Sequence, residues 1–241
     1  GIGLLDQSMI ADLKEQEGKM YAADKLVADT EDRKNALEEF VYDTRSKLDE
    51  RYSQFVQPQE KEQLLSMLGE SEDWLYTEEG EDASKSAYVS RLETLQKAAA
   101  PVHFRWKEYD ERPRAAAQLR EVVNRYMSVF ENEPEKYDHL SDDDKMKVIE
   151  KAATVGKWLD DYMYKQSELP KNVEPKLTSD EILKKKDDVI YVCTPILTKP
   201  KPRVPVDTPK PEGNGEGAPQ SEQQQQQQGN ENQKQGEMDV D

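Results

Sequence analysis

The side chains that most often carry catalysis or bind metals are scarce in this sequence. The histidines are His103 and His139, and the one cysteine is Cys193. Neither histidine has a cysteine or a second histidine at the spacing of a metal site, so both are expected to be ordinary surface or partly buried side chains. Nothing beside Cys193 would activate its sulfur, which predicts a buried or inert thiol.

Other arrangements of catalytic residues are also missing. The sequence contains no glycine-rich loop of the kind that binds phosphate groups. The acidic run at residues 142–144 lacks the glycine and the alternating ligands of a calcium loop. The sequence therefore predicts that this chain is not an enzyme, and that it binds no metal or cofactor of its own.

Composition limits which classes of partner the chain can bind and indicates the cellular compartment in which it resides. The 241 residues carry a formal net charge of −17, and 35% of them are charged, which opposes binding to nucleic acid and to anionic membranes. No apolar run approaches the roughly 20 residues of a spanning helix. A single cysteine excludes a disulfide framework and favours a reducing compartment such as the cytoplasm. The opening Gly-Ile-Gly, without methionine, suggests a fragment of a longer protein.

Aromatic and polar residues offer two further kinds of site. Trp74, Trp106 and Trp158 each stand in an apolar helical stripe, which is typical of core residues, and the alternative is a groove for a peptide or a partner helix. The segment at residues 30–35 is densely polar. Taken by itself, it is expected to be a solvated helix face with internal ion pairs such as Glu31 to Lys34.

The elements that position these residues are predicted to be helices. A long one of about 35 residues is expected to end at Pro58, preceded by a shorter helix from about Asp6 with Gly18 at the junction. Its apolar stripe follows helical spacing. The stripe comprises Ala23, Val27 and Thr30, and then Leu37, Val41, Thr44, Leu48, Tyr52 and Phe55.

Four more helical segments are predicted beyond Pro58, and a fifth helix follows them. The first stops before Gly80, the second begins near Ser84 and is kinked at Pro101, and the third opens at Pro113. The fourth is capped at Ser141, and the last near Thr178 or Ser179. The expected inner faces carry Leu64, Leu65, Leu68, Trp74 and Leu75; Tyr88, Leu92, Leu95, Ala99, Val102, Trp106 and Tyr109; Leu119, Val122, Tyr126 and Phe130; Met146, Ile149, Ala153 and Trp158; and Ile182 and Val189.

These patterns predict an all-α antiparallel bundle. Val189 to Cys193 is the one β-like run, and a single strand has no partner. We predict a helical arm at residues 4–58 and a helical bundle at 59–193. An acidic, Pro- and Gln-rich disordered tail is predicted at 194–241, with a polyproline II start at Pro200, Pro202 and Pro205.

Four stretches of the sequence resemble a known family. Residues 24–42 are similar to the long lid helix of heat-shock protein 70 relatives. Residues 72–76 with the acidic stretch after them, residues 194–202, and the ending at 237–241 resemble the heat-shock protein 110 branch in particular. The ending keeps only part of the Glu-Glu-Val-Asp tail by which cytosolic heat-shock protein 70 docks into tetratricopeptide clamps, and Met238 stands among its acids.

The resemblance implies a C-terminal helical lid of a chaperone whose ATP-binding domain and β-sandwich lie outside this chain. Such chaperones act as nucleotide-exchange factors by gripping the ATPase domain of heat-shock protein 70, and they hold unfolded clients in the cytoplasm, with the nucleus as a second location. The implied contacts fall on Asn35 and Glu38, with Arg33 and Glu31 as weaker candidates. The alternatives are a client-holding, solubilising module with no part in exchange, and a purely structural scaffold.

Overall fold

The computed structural model describes residues 7–206, and all of their regular secondary structure is helical. This confirms the all-α class. Of the described residues, 7–201 belong to one compact unit, and residues 202–206, which belong to a second, are without regular structure. The helices are α1 (Gln7–Asp49), α2 (Pro58–Leu75), the single turn α3 (Glu78–Glu81), α4 (Lys85–Asn132), α5 (Asp142–Ser167) and α6 (Ser179–Leu197).

Helix α1 is one continuous element of 43 residues, so the predicted junction at Gly18 is wrong. A glycine inside a helix costs only about 1 kcal/mol relative to alanine, and so long a helix absorbs that cost. The predicted end at Pro58 is also wrong. The helix ends at Asp49, and Pro58 opens α2, where its missing N–H has no helical partner to lose.

Helix α4 runs unbroken for 48 residues and includes both Pro101 and Pro113. The continuity expected across Pro101 is confirmed, whereas the new helix expected at Pro113 is not formed. Each proline removes one backbone hydrogen bond, to the carbonyl four residues earlier. The helix continues because its apolar stripe is buried on both sides of each proline.

Three predicted helix starts are confirmed by hydroxyl caps. Ser84 Oγ accepts a hydrogen bond from the Ala87 N–H, and Ser141 Oγ accepts one from the Asp144 N–H at 3.1 Å. At the start of α6 the cap is Thr178, whose Oγ1 accepts from the Glu181 N–H at 3.2 Å. Each bond satisfies an N–H that has no intrahelical partner.

The described helices bury two apolar clusters that share α4. In the N-terminal cluster α1 and α2 pack against the first half of α4; its members include Leu37, Val41, Leu68, Leu95 and Val102. In the C-terminal cluster α5 and α6 pack against the second half; its members include Leu119, Val148, Leu159, Ile182 and Val189. Within residues 7–206, neither α1 nor α2 contacts α5 or α6 directly.

A buried polar connection fastens the start of α6 to α4. Glu108 is 3% exposed, and its carboxylate accepts hydrogen bonds from the Ser179 N–H at 2.7 Å and from the Ser179 hydroxyl at 2.6 Å. One turn further along, Arg112 Nε donates to the Leu177 carbonyl oxygen at 2.7 Å. The carboxylate thus satisfies a free N–H at the α6 terminus.

The register predicted for α5 is wrong. Its buried side chains are Val148, Ala152, Val155 and Leu159. Met146 is 54% exposed and Ala153 is exposed, although both were expected in the core. A shift of one residue rotates a helical stripe by about 100°, and two apolar stripes compete on this helix.

The β-like run and the predicted start of the tail are also corrected. Val189 to Cys193 is helical, and α6 continues through Pro195 to Leu197. Proline is tolerated in this last turn because it frees only the carbonyl of Tyr191, a residue that is 80% exposed and so open to water. The rest of the tail prediction, including residues 237–241, lies largely outside the described residues, and the division at residue 58 stays a prediction.

In the part of the chain that the structure describes, no helix combines the length and the apolarity needed to cross a bilayer.

Candidate partner-binding face

The four residues singled out by the resemblance lie on α1, but not on one face. Glu31, Asn35 and Glu38 follow i, i+4, i+7 spacing, which places them in a row along one side. Arg33 is two positions from both Glu31 and Asn35, which turns it about 200° away. The helix therefore groups three of the candidates and separates the fourth.

The grouped side chains are available to a partner. Glu31 and Asn35 are exposed and Glu38 is half-buried. Among the residues that the structure describes, none of the three makes a side-chain hydrogen bond or ion pair. Their polar atoms are thus unengaged within residues 7–206.

The internal ion pair expected between Glu31 and Lys34 is not formed. Lys34 Nζ instead donates to the backbone carbonyl of Glu81, at 3.0 Å. This bond links α1 to the single-turn helix α3 and leaves the Glu31 carboxylate unpaired.

The row continues onto α2 through residues that the sequence interpretation missed. Tyr42 stands four positions after Glu38, and its hydroxyl lies 2.9 Å from the hydroxyl of Tyr76. Arg45, three positions further, forms an ion pair with Glu72. Spacing along α1 could have indicated Tyr42, but the pairing with α2 depends on tertiary structure. We call Glu31, Asn35, Glu38, Tyr42, Arg45, Glu72 and Tyr76 the polar face.

Two titrating groups on the polar face are held in fixed states near neutral pH. The hydrogen bond with Tyr76, helped by partial desolvation, raises the pKa of Tyr42 to about 12. The hydrogen bond from Arg45 lowers the pKa of Glu72 below its usual 4.5. Tyr42 therefore keeps its proton and Glu72 its charge, so the face presents hydroxyl donors beside carboxylates.

The first half of α1 carries a second exposed feature, which we call the apolar row. It consists of Met9 (53% exposed), Leu13 (54%), Met20 (68%) and Val27 (66%) along one side of the helix, flanked by Tyr21 (72%) and Leu26 (57%), which are turned about 100° to either side. The predicted stripe continues back to Ala23 and Val27 within α1, but both side chains are exposed, because α4 begins at Lys85, opposite Asp29. A groove of about 790 Å³ opens at the end of the row, between residues 26–34 and 81–89.

The three tryptophans are half-buried residues at the edges of the clusters. Trp74 packs edge-on against Tyr88, with ring centres 5.7 Å apart, and the Arg91 guanidinium lies 3.9 Å above its ring centre. Trp106 packs against the N-terminal cluster and Trp158 against the C-terminal one. The core interpretation thus holds for the inner side of each ring.

Cys193 and His103, two side chains that could in principle do chemistry, have the surroundings of residues that stabilise the fold. Cys193 is fully buried, as expected, and burial raises the pKa of its thiol. The Nδ1 atom of His103 lies 2.7 Å from the hydroxyl of Tyr52, and partial desolvation lowers the pKa of this histidine. Within residues 7–206, no group of three or more His, Cys, Asp and Glu side chains is placed to hold a metal ion.

Comparison with known proteins identifies relatives of this chain. Residues 2–108 match the family model described as Hsp70 protein. The chain is 39% identical over 187 residues to heat shock 70 kDa protein 15 of Arabidopsis thaliana, covering 78% of this chain and 22% of that protein. It is 36% identical over 200 residues to human heat shock 70 kDa protein 4L, covering 82% and 24%. The chain thus spans less than a quarter of the length of these relatives.

Proposed function

The chain is related by partial homology to the Hsp70 superfamily, including its heat-shock protein 110 branch, and on that premise we propose that it is the helical lid of an exchange-factor chaperone. In this proposal the polar face of α1 contacts the ATPase domain of Hsp70 and helps to hold it open, so that ADP leaves. ATP would be bound by a domain outside this chain.

The observation that supports this function is the unpaired row on α1. A polar helix face usually satisfies itself with ion pairs three or four residues apart, as Asp43 and Lys47 do on this helix. Glu31 and Glu38 do not, although Lys34 lies three positions from the first and four from the second, because the Lys34 ammonium group donates to the Glu81 carbonyl instead. Carboxylates and an amide that are free in this way can accept hydrogen bonds from a partner at no internal cost.

The test is binding of the 241-residue chain to a purified Hsp70 ATPase domain, together with ADP release driven by the longer protein that contains it. Asn35→Tyr with Glu38→Ala should weaken binding by about 1–3 kcal/mol, the usual range for central interface residues. The matched control is Asn124→Tyr with Glu121→Ala. It changes the same residue types at the same spacing on the exposed side of α4.

Loss of binding and of ADP release in the α1 variant, with neither changed in the α4 variant, supports the proposal. Arg33→Ala provides a second control, because this side chain points away from the polar face. Equal effects of the α1 and α4 variants would show that the polar face has no specific role in binding Hsp70.

A second candidate function, holding of unfolded clients, is favoured by the apolar row. Four of its side chains, Met9, Leu13, Met20 and Val27, lie within about 40° of one another around the helix and are each more than half exposed, which makes a surface of the kind that binds other chains. An unfolded client would supply the apolar groups that cover it.

Suppression of client aggregation tests this candidate. Met20→Ser with Tyr21→Ser should reduce suppression several-fold. Tyr164→Ser with Tyr191→Ser removes two side chains of similar exposure, 68% and 80%, from the other half of the structure and should have little effect. Equal losses in the two variants would assign client holding to general surface hydrophobicity.

A further inference from the structure

The stretch that follows α6 concentrates proline and positive charge in a strongly acidic chain. Residues 199–205 read Lys-Pro-Lys-Pro-Arg-Val-Pro, which places three cations and three prolines in seven positions. The chain as a whole carries a net charge of −17. This short segment is thus positively charged within a strongly negative chain.

The backbone of this stretch is restricted before any partner binds. Each proline fixes its own φ near −65°, and each residue before a proline is driven to extended or polyproline II geometry. These two rules together constrain residues 199, 200, 201, 202, 204 and 205. A segment restricted in this way loses little conformational entropy when it is bound as a polyproline II helix.

The part of the stretch beyond Lys201 is open to a partner. Residues 199–206 form no helix or strand, and all of them are exposed. Val204 and Val206 are 83% and 86% exposed. Among the described residues, no backbone hydrogen bond engages residues 202–206.

The spacing aligns a cation with two prolines. A polyproline II helix has three residues per turn, so Lys199, Pro202 and Pro205 share one edge. Lys201 belongs to a different edge. Such an edge complements an aromatic-lined groove that holds the prolines beside an acidic pocket that takes the cation.

Within the chain, Lys199 already occupies an acidic site. Its ammonium group pairs with Asp144, whose side chain is only 14% exposed, and its carbonyl oxygen lies 2.7 Å from His139 Nε2. Lys201 pairs with Asp138 at 3.2 Å. Asp144 therefore competes for the cation on the recognition edge, whereas Asp138 holds a cation that lies off it.

We propose that residues 199–205 are a docking segment for a protein domain with an aromatic-lined polyproline groove and an adjacent acidic pocket, the SH3 type of domain, and that Asp144 restrains this docking by competing for Lys199. The partner is a folded domain that recognises the spacing of the prolines together with one positive charge. This inference is independent of the proposed exchange function.

An array of purified SH3 domains, with WW domains on the same support, is probed with the full 241-residue chain. The SH3 domains that have an acidic pocket should retain the chain. Pro202→Ala with Pro205→Ala should weaken that retention at least tenfold, while Pro209→Ala with Pro211→Ala, two prolines beyond the segment, should leave it unchanged. Circular dichroism verifies that each variant keeps its helices.

The competition is tested by two matched substitutions. Asp144→Asn should tighten binding up to about fivefold, which is the most that a surface ion pair can withhold. Asp138→Asn should change nothing. The proposal would be overturned by any of three results. These are retention of the chain by WW domains alone, no retention by any domain on the array, and binding that is unchanged by the Pro202/Pro205 substitutions. Equal effects of Asp144→Asn and Asp138→Asn would overturn the competitive role of Asp144.

Discussion

The two halves of α4 support regions of opposite character. Around its second half, α5 and α6 enclose the C-terminal cluster, and even the polar Glu108 and Arg112 are buried and hydrogen-bonded. Around its first half, α1 buries its own apolar stripe only from Leu37 onward and leaves the apolar row and much of the polar face exposed.

This difference indicates where partners bind. A region that satisfies its own polar groups and covers its own apolar groups has little left to offer another molecule. The unsatisfied groups of the two proposed functions all lie on α1 or beside it. We therefore expect substitutions inside the C-terminal cluster to change stability, and those on the exposed part of α1, or in the segment that follows α6, to change binding.

The largest contrast is expected from two truncations of apolar side chains. Leu119→Ala removes a fully buried side chain from the C-terminal cluster and should lower the free energy of unfolding by about 2–5 kcal/mol. Met20→Ala, in the apolar row, should change it by less than about 0.5 kcal/mol. Urea unfolding followed by circular dichroism measures both, and similar losses would mean that the apolar row is covered in solution.

Next in size is the buried connection between α4 and α6. Glu108→Ala leaves the Ser179 N–H and hydroxyl without their acceptor beside a buried Arg112, and should cost about 2–4 kcal/mol. Glu111→Ala is the matched control, because its carboxylate forms only an exposed pair with Lys107. If the two variants melt at the same temperature, the connection contributes little.

A smaller effect of either sign is expected from two glycines of the N-terminal region. Gly69 lies in α2 with open space around it, so Gly69→Ala should stabilise the protein by about 0.5–1 kcal/mol. A Cβ atom at Gly80 would lie 1.8 Å from the carbonyl oxygen of Trp74, so Gly80→Ala should destabilise it. Thermal unfolding decides both signs, and stabilisation by the Gly80 change would contradict the close approach.

The smallest effect concerns the ion pair of the polar face. Because Arg45 lowers the folded-state pKa of Glu72, the pair stabilises the fold above the usual value near 4.5, and this stability is lost as pH falls through the lowered pKa. Arg45→Met should therefore differ most from the parent protein near pH 7 and converge with it in strong acid. A difference in unfolding free energy that is independent of pH would exclude this pair as its cause.

Much of the fold could be predicted because its strongest signals are local. The stripe from Leu37 to Phe55 and the caps at Ser84, Ser141 and Thr178 depend on residues only a few positions apart. The grouping of Asn35 with Glu38 was likewise predictable once a helix was expected. These features need no knowledge of the rest of the molecule.

The remaining features depend on tertiary packing. Pro113 and Pro195 were expected to break or exclude a helix, but buried neighbours keep the chain helical at Pro113, and the carbonyl that Pro195 leaves unbonded is open to water. On α5, Val148 and Ala152 are buried in place of Met146 and Ala153, because the choice between two apolar stripes depends on where α4 and α6 lie. The Arg45–Glu72 pair joins α1 to α2 and the Tyr42–Tyr76 pair joins α1 to the residue that caps α2, and spacing along one helix cannot show them.

The unbroken α4 also has a mechanical consequence. At about 1.5 Å per residue, its 48 residues form a beam of about 72 Å that runs through both clusters. Pro101 and Pro113 each remove one of the hydrogen bonds that stiffen it, so any flexing should concentrate there. A bend of about 10° at Pro113 would displace the start of the helix, about 42 Å away, by about 7 Å. A load applied to α1 would thus reach the far region as a change in curvature, with no breakage of either core.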